Sequence, residues 1–101
     1  MLFRSSPTDI LVFALGSCML TMMGLSAQKN GIDIKGAKFE GYKEMAMSGE
    51  RRIGKITIVF DMPSGIPSSK RGMLEEAAHL CPVHKSLHPD IRISIKFNYS
   101  D

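Results

Sequence analysis

The dominant feature of the hydropathy pattern is a stretch from Ile10 to Gln28 that carries no charge and is apolar at nearly every helical angle. Its start is well marked. Ser6 can cap a helix, Pro7 suits the first helical position because its ring presets φ, and Asp9 falls where a capping-box acid sits. Asn30-Gly31 is a matching stop. A helix from Pro7 to Asn30 is about 36 Å long and too apolar to stand alone in water, which predicts a long buried central helix covered on most of its sides.

Beyond it the rhythm changes. Ile32, Ile34, Ala37, Phe39 and Tyr42 suggest a strand with an irregularity at Gly36, and Ile56, Ile58 and Phe60 alternate cleanly in a second, with a turn at Ser48-Gly49. The segment from Asp61 to Pro67 reads as a loop, and Pro67 or Ser68 opens a second helix running to about Leu80, with Met73, Leu74, Ala77, Ala78 and Cys81 inward. Pro82 cannot continue that helix, although it can open a short new turn through Leu87. Ile91, Ile93, Ile95, Phe97 and Tyr99 then alternate with Arg92, Ser94, Lys96 and Asn98 in a closing strand. Helix, two strands, helix, strand predicts an α+β class, with an antiparallel sheet covering the long helix.

A chain of 101 residues is one domain, 1–101, and its core is small enough to be shared with a partner. The formal charge of +3 comes from basic residues scattered among 10 acidic ones, with no Trp and no basic run, so no nucleic-acid partner is expected. The uncharged stretch could be read as a membrane span, and Leu15-Gly16-Ser17-Cys18 imitates a lipoprotein cleavage box. Both readings are weak: Pro7 and Asp9 interrupt the approach, and Gly16, Ser17, Thr21, Gly24, Ser26 and Gln28 dilute the run. The expectation is a core helix and no membrane partner. Two cysteines without an obvious export signal fit a reducing cytoplasm, where an oxidised pair is transient chemistry.

Those cysteines, Cys18 in the uncharged helix and Cys81 at the Cys81-Pro82-Val83-His84 turn, are the candidate reactive groups. Only a thiolate is nucleophilic, and a sulfenic acid must meet a second thiol before further oxidation makes the change permanent. The competing reading for Cys18 is a small hydrophobe packed in the core. Cys81, His84 and His88 have zinc-like spacing, but no second Cys or His cluster completes a site, so neither a metal nor a cofactor is expected.

Ser6-Pro7-Thr8-Asp9-Ile10-Leu11, leading into Ala14-Leu15-Gly16-Ser17-Cys18, together with Cys81-Pro82-Val83-His84-Lys85-Ser86-Leu87, resembles the OsmC/Ohr family of thiol peroxidases over nearly the whole chain. The resemblance implies an OsmC-like fold in an intertwined homodimer, with two active sites near the dimer interface. It implies that Cys18 attacks a hydrophobic organic hydroperoxide and becomes a sulfenic acid, that Cys81 resolves it as a disulfide, and that an external dithiol reductant restores both thiols. The alternative is a non-catalytic OsmC-like domain that binds an apolar small molecule or a partner in the interface groove. Family members carry several strands ahead of the central helix, whereas six residues precede Pro7 here. Those strands are expected to be missing from this chain, with a partner covering the helix. Peroxidatic members draw an arginine from them, held by a glutamate at the position of Thr8. Possible supporting residues in this chain are therefore Thr8, Asp9, Arg4 and His84, with Arg51 or Arg52 as further cations.

Overall fold

A computed structural model describes residues 6–100. The first helix, α1 (Pro7–Lys29), starts as its sequence dictates: the Asp9 N–H donates to Ser6 Oγ at 3.2 Å, and the Ser6 N–H donates back to Asp9 Oδ2 at 3.4 Å. Asn30 closes it. Then follow β1 (Lys38–Met45), β2 (Ile53–Met62), α2 (Ser68–His79), the short α3 (Pro82–Ser86) and β3 (Arg92–Tyr99).

The strands form one sheet in the order β1-β2-β3. β1 and β2 are antiparallel, but β3 runs parallel to β2, so the sheet is mixed rather than antiparallel throughout. The cause lies in the connection. Both α2 and α3 sit between β2 and β3, and a crossover of that length carries the chain back along the sheet as a tight hairpin cannot. A second correction concerns the start of β1. Ile32, Ile34 and Ala37 precede the strand, on a segment held by Gly31 at φ 68° and Gly36 at φ 95°, where the Ala37 N–H closes a turn on the Ile34 carbonyl at 3.0 Å. The three side chains still pack against the core.

The core lies between α1, α2 and the inward face of β2. Leu15, Met19 and Met23 from α1, Ile56, Ile58 and Phe60 from β2, and Leu74 from α2 have no exposed surface. The register sets Phe60 opposite both Phe39 and Phe97. Their rings follow one another, with centroids 5.9 Å apart for Phe39–Phe60 and 5.3 Å for Phe60–Phe97, and Phe13 extends the row at 5.6 Å from Phe39. This row ties the sheet to α1. At the crossing α1 carries Gly16, where a Cβ would lie 2.2 Å from a carbon of the Phe39 ring.

At the far end of β3, the Tyr99 hydroxyl donates to Glu75 Oε2 at 2.8 Å, and the Arg71 guanidinium lies 4.3 Å from the Tyr99 ring centroid. These contacts fasten α2 to the sheet.

α1 is buried on one stripe, Val12, Leu15, Gly16, Met19, Met23 and Ala27, while Phe13, Leu25 and Ile10 are 64%, 51% and 43% exposed. Coverage within the chain is thus narrower than the hydropathy pattern predicts. By length and composition α1 could also cross a membrane, but its buried stripe here faces the sheet and α2.

Gly16→Ala should lower stability by about 1–3 kcal/mol, because overpacking against the Phe39 ring exceeds the ~1 kcal/mol that alanine gains in a helix. Urea unfolding of Gly16→Ala and of Gly16→Ala/Phe39→Leu checks this. The smaller side chain should restore part of the loss, and a neutral single variant would contradict the packing account.

Candidate functional site

α2 is amphipathic at helical spacing: Leu74 and Ala78 are buried, and Cys81 continues the same inward line two residues past the helix end. Pro82 then blocks further helix. Cys81 adopts φ −57°, ψ 126° and caps α3, its Sγ accepting the His84 N–H at 3.4 Å. The side chain therefore turns inward with no exposed surface.

The surface that receives it is α1, which packs against both α2 and α3. Cys18 lies at the shoulder of the buried stripe, half-buried against the core. The two sulfurs are near enough to act on each other: Cys18 is among the groups that shift the Cys81 thiol, and both cysteines are free. Burial pushes the Cys81 thiol upward, and the contact with Cys18 adds to this, while the amides of His84 and Val83 pull the other way. Cys81 is consequently held as a thiol. A thiol beside a second, more accessible sulfur is placed for thiol–disulfide chemistry.

The supporting residues divide sharply. Asp9 is turned to β1, where Lys43 Nζ reaches its Oδ1 at 2.8 Å, and this ion pair with the Ser6 cap holds its carboxyl below the usual range. The Thr8 hydroxyl lies 3.0 Å from Ser6 Oγ, within the same cap. Arg52 faces Asp90 at 3.9 Å. Thus Asp9, Thr8 and Arg52 make these polar contacts away from the thiol pair, and Arg4 lies outside the described residues.

His84 belongs to the pair's surroundings. Its amide caps Cys81, its ring lies 6.0 Å from that of His79, and its Nδ1 is sealed from solvent with no hydrogen-bond partner among the described residues. Burial, with the neighbouring His79, pushes its pKa below the ordinary 6.5. His88 is exposed, and no group of three or more His, Cys, Asp or Glu side chains among the described residues is arranged to hold a metal.

An apolar groove of about 420 Å³ runs beside α1, lined by Val12, Phe13, Leu20 and Phe39. It is on the wrong side for the thiols. At ~100° per residue, Phe13 and Leu20 point about 140° and 160° away from Cys18. The pattern signals that singled out Cys18 and Cys81 gave no notice of His79 beside His84, of the His84 amide on Cys81 Sγ, or, away from the thiols, of Lys43 as the partner of Asp9. A Cys-Pro pair at a helix start does carry a signal for the His84 amide, since a residue before a first-turn proline is placed to cap.

A family model described as OsmC-like protein matches residues 4–96. The chain is similar to a structure from Psychrobacter arcticus assigned to osmotic stress induction and detoxification response, with 36% identity, 92% of this chain and 67% of that one covered, and a TM-score of 0.86. It is also similar to an OsmC-like protein from Mycoplasma pneumoniae, at 16% identity, 99% and 75% coverage and a TM-score of 0.85. The organic hydroperoxide resistance protein OhrB of Bacillus subtilis matches at 20% identity, 96% and 73% coverage and a TM-score of 0.78. No curated protein sequence matches the chain.

The lowered pKa of His84 carries a sign for stability. The unfolded chain takes up a proton below about pH 6.5 that folded His84 resists, so the contribution is present above that pH and is lost as pH falls. Unfolding midpoints between pH 7.5 and 5.5 should therefore decline in the wild type and decline less in His84→Gln; equal slopes would contradict the burial of this ring.

Proposed function

We propose, on the premise that this chain belongs to the OsmC-like protein family, that it reduces organic hydroperoxides with Cys18 as nucleophile and Cys81 as resolving thiol. The observation that carries this reading is a fully buried Cys81 whose thiol is acted on by the half-buried Cys18 of the facing helix. A lone core cysteine needs no such partner.

The chemistry runs in two steps on this chain. The Cys18 thiolate attacks an oxygen of the peroxide, an S–O bond forms, the O–O bond breaks, and the departing alkoxide takes a proton to become an alcohol. Cys81 sulfur then attacks the sulfenic sulfur of Cys18. The S–S bond forms, and hydroxide leaves with the proton of Cys81 as water. An external dithiol supplies two electrons to return the pair.

The raised pKa of Cys81 suits the second role. As a protonated thiol it does not compete for peroxide, and it stands against the sulfur it must meet. Partly buried apolar residues beside Cys18 on α1, Leu11 and Met22, favour an apolar hydroperoxide over hydrogen peroxide.

The reading includes a homodimer and a cytoplasmic location. The exposed Ile10, Phe13 and Leu25 of α1 supply an apolar surface for a second copy, and free cysteines suit a reducing compartment. The groove at Phe13 and Phe39, remote from the sulfurs, favours a second reading in which the domain binds an apolar molecule without turning it over.

Stopped-flow mixing of reduced protein with cumene hydroperoxide separates the two. Peroxidase chemistry predicts a fast phase that disappears in Cys18→Ser, whereas Cys81→Ser should complete a single turnover and then accumulate sulfinic acid on Cys18. A wild type that consumes no peroxide would leave the binding reading. Sedimentation as a single-chain species would remove the homodimer.

A further inference from the structure

The two sulfurs differ in access, and this fixes the direction from which an oxidised pair can be reopened. We infer that the reductant attacks the sulfur of Cys18, forms its mixed disulfide there, and expels Cys81 as the leaving thiolate. The inference rests on the proposed formation of a Cys18–Cys81 disulfide.

Thiol exchange is a displacement at sulfur, so the incoming thiolate must reach one sulfur from the side away from the bond that breaks. Cys81 has no exposed surface, because Leu80 and Pro82 fold it inward between α2, α3 and α1. Cys18 is half-buried, on the shoulder of α1. Reaching Cys81 first requires the turn between α2 and α3 to open.

Leaving-group chemistry acts in both directions. Burial makes Cys81 the more basic sulfur, which slows its departure, while the His84 N–H at 3.4 Å supports the charge it acquires. The dependence on leaving-group basicity is fractional, so one unit changes the rate by less than about tenfold. Prior opening multiplies the rate by the open population, on the order of 10⁻² or smaller for a packed element. Access therefore decides.

The electron count closes. The reductant's thiolate bonds to Cys18 Sγ, and the electron pair of the old S–S bond passes to Cys81 Sγ, which takes a proton from water. The reductant's second thiolate then attacks its own sulfur in the mixed disulfide, releasing Cys18 as thiolate and leaving the reductant as a disulfide. Reprotonation matters here. A Cys81 restored to its thiol re-closes on the mixed disulfide only through its small thiolate fraction, which slows that return.

The test forms the disulfide with diamide, so that it does not depend on any peroxide step. Oxidised protein is mixed briefly with 2-mercaptoethanol, which cannot cyclise, then acid-quenched, alkylated with N-ethylmaleimide and digested with trypsin. Cys18 and Cys81 fall in separate fragments, residues 5–29 and 72–85. At the earliest times the mercaptoethanol adduct should lie on Cys18 in at least about tenfold excess, with maleimide on Cys81. A comparable or greater share on Cys81 would overturn the inference, as would failure of diamide to join the two residues. A protein inert to peroxide that still gives the Cys18 adduct would contradict the peroxidase reading and leave this one standing.

Discussion

Pro82 constrains everything at the thiol pair. Without its bar to helix propagation, α2 would run on and carry Cys81 around its axis with the next turn. Because the helix ends at His79, Cys81 is released into a capping conformation, and its sulfur faces α1 while its neighbour His84 supplies an amide to it. One backbone rule thus sets burial, hydrogen bonding and the meeting with Cys18 together. Burial in turn raises the Cys81 thiol, which separates the two sulfurs into an accessible one and a protected one.

The rest of the fold holds α1 still against that turn. The row Phe13, Phe39, Phe60 and Phe97 crosses from helix to sheet, and the missing side chain at Gly16 lets the Phe39 ring approach the helix. From the other side, Leu74 and Ala78 of α2 pack without exposed surface. The capping cluster of Ser6, Asp9 and Lys43 pins the start of α1 to β1. It is exposed enough that its ion pair orients the helix more than it stabilises the protein. These contacts fix the depth of Cys18, and so the distance it must span.

Local signals made most of the elements legible. The Ser6-Pro7-Thr8-Asp9 start, the Asn30 stop, the alternation in β2 and β3 and the Cys81-Pro82 break all act within a few residues, and each element formed where its chemistry said. The sheet's direction was not legible, because parallel or antiparallel pairing of β3 depends on how α2 and α3 carry the chain across. Ile32 and Ile34 alternate like a strand, yet two left-handed glycines bend the backbone out of one. At the site, motif and helix stripe both pointed to the cysteines, Cys81 on the inward line of α2 and Cys18 beside the buried stripe of α1. Asp9 was readable as a cap, but its partner Lys43 lies 34 residues away, across a contact that no local pattern encodes.

The account depends most on Cys18 and Cys81 being neighbours able to bond. The direct measurement is non-reducing peptide mapping after one equivalent of an organic hydroperoxide. The account predicts a single cross-linked species joining the Cys18 and Cys81 fragments, with a mass two hydrogens below their sum. Sulfinic or sulfonic acid on Cys18 beside an unreacted Cys81 thiol would contradict it.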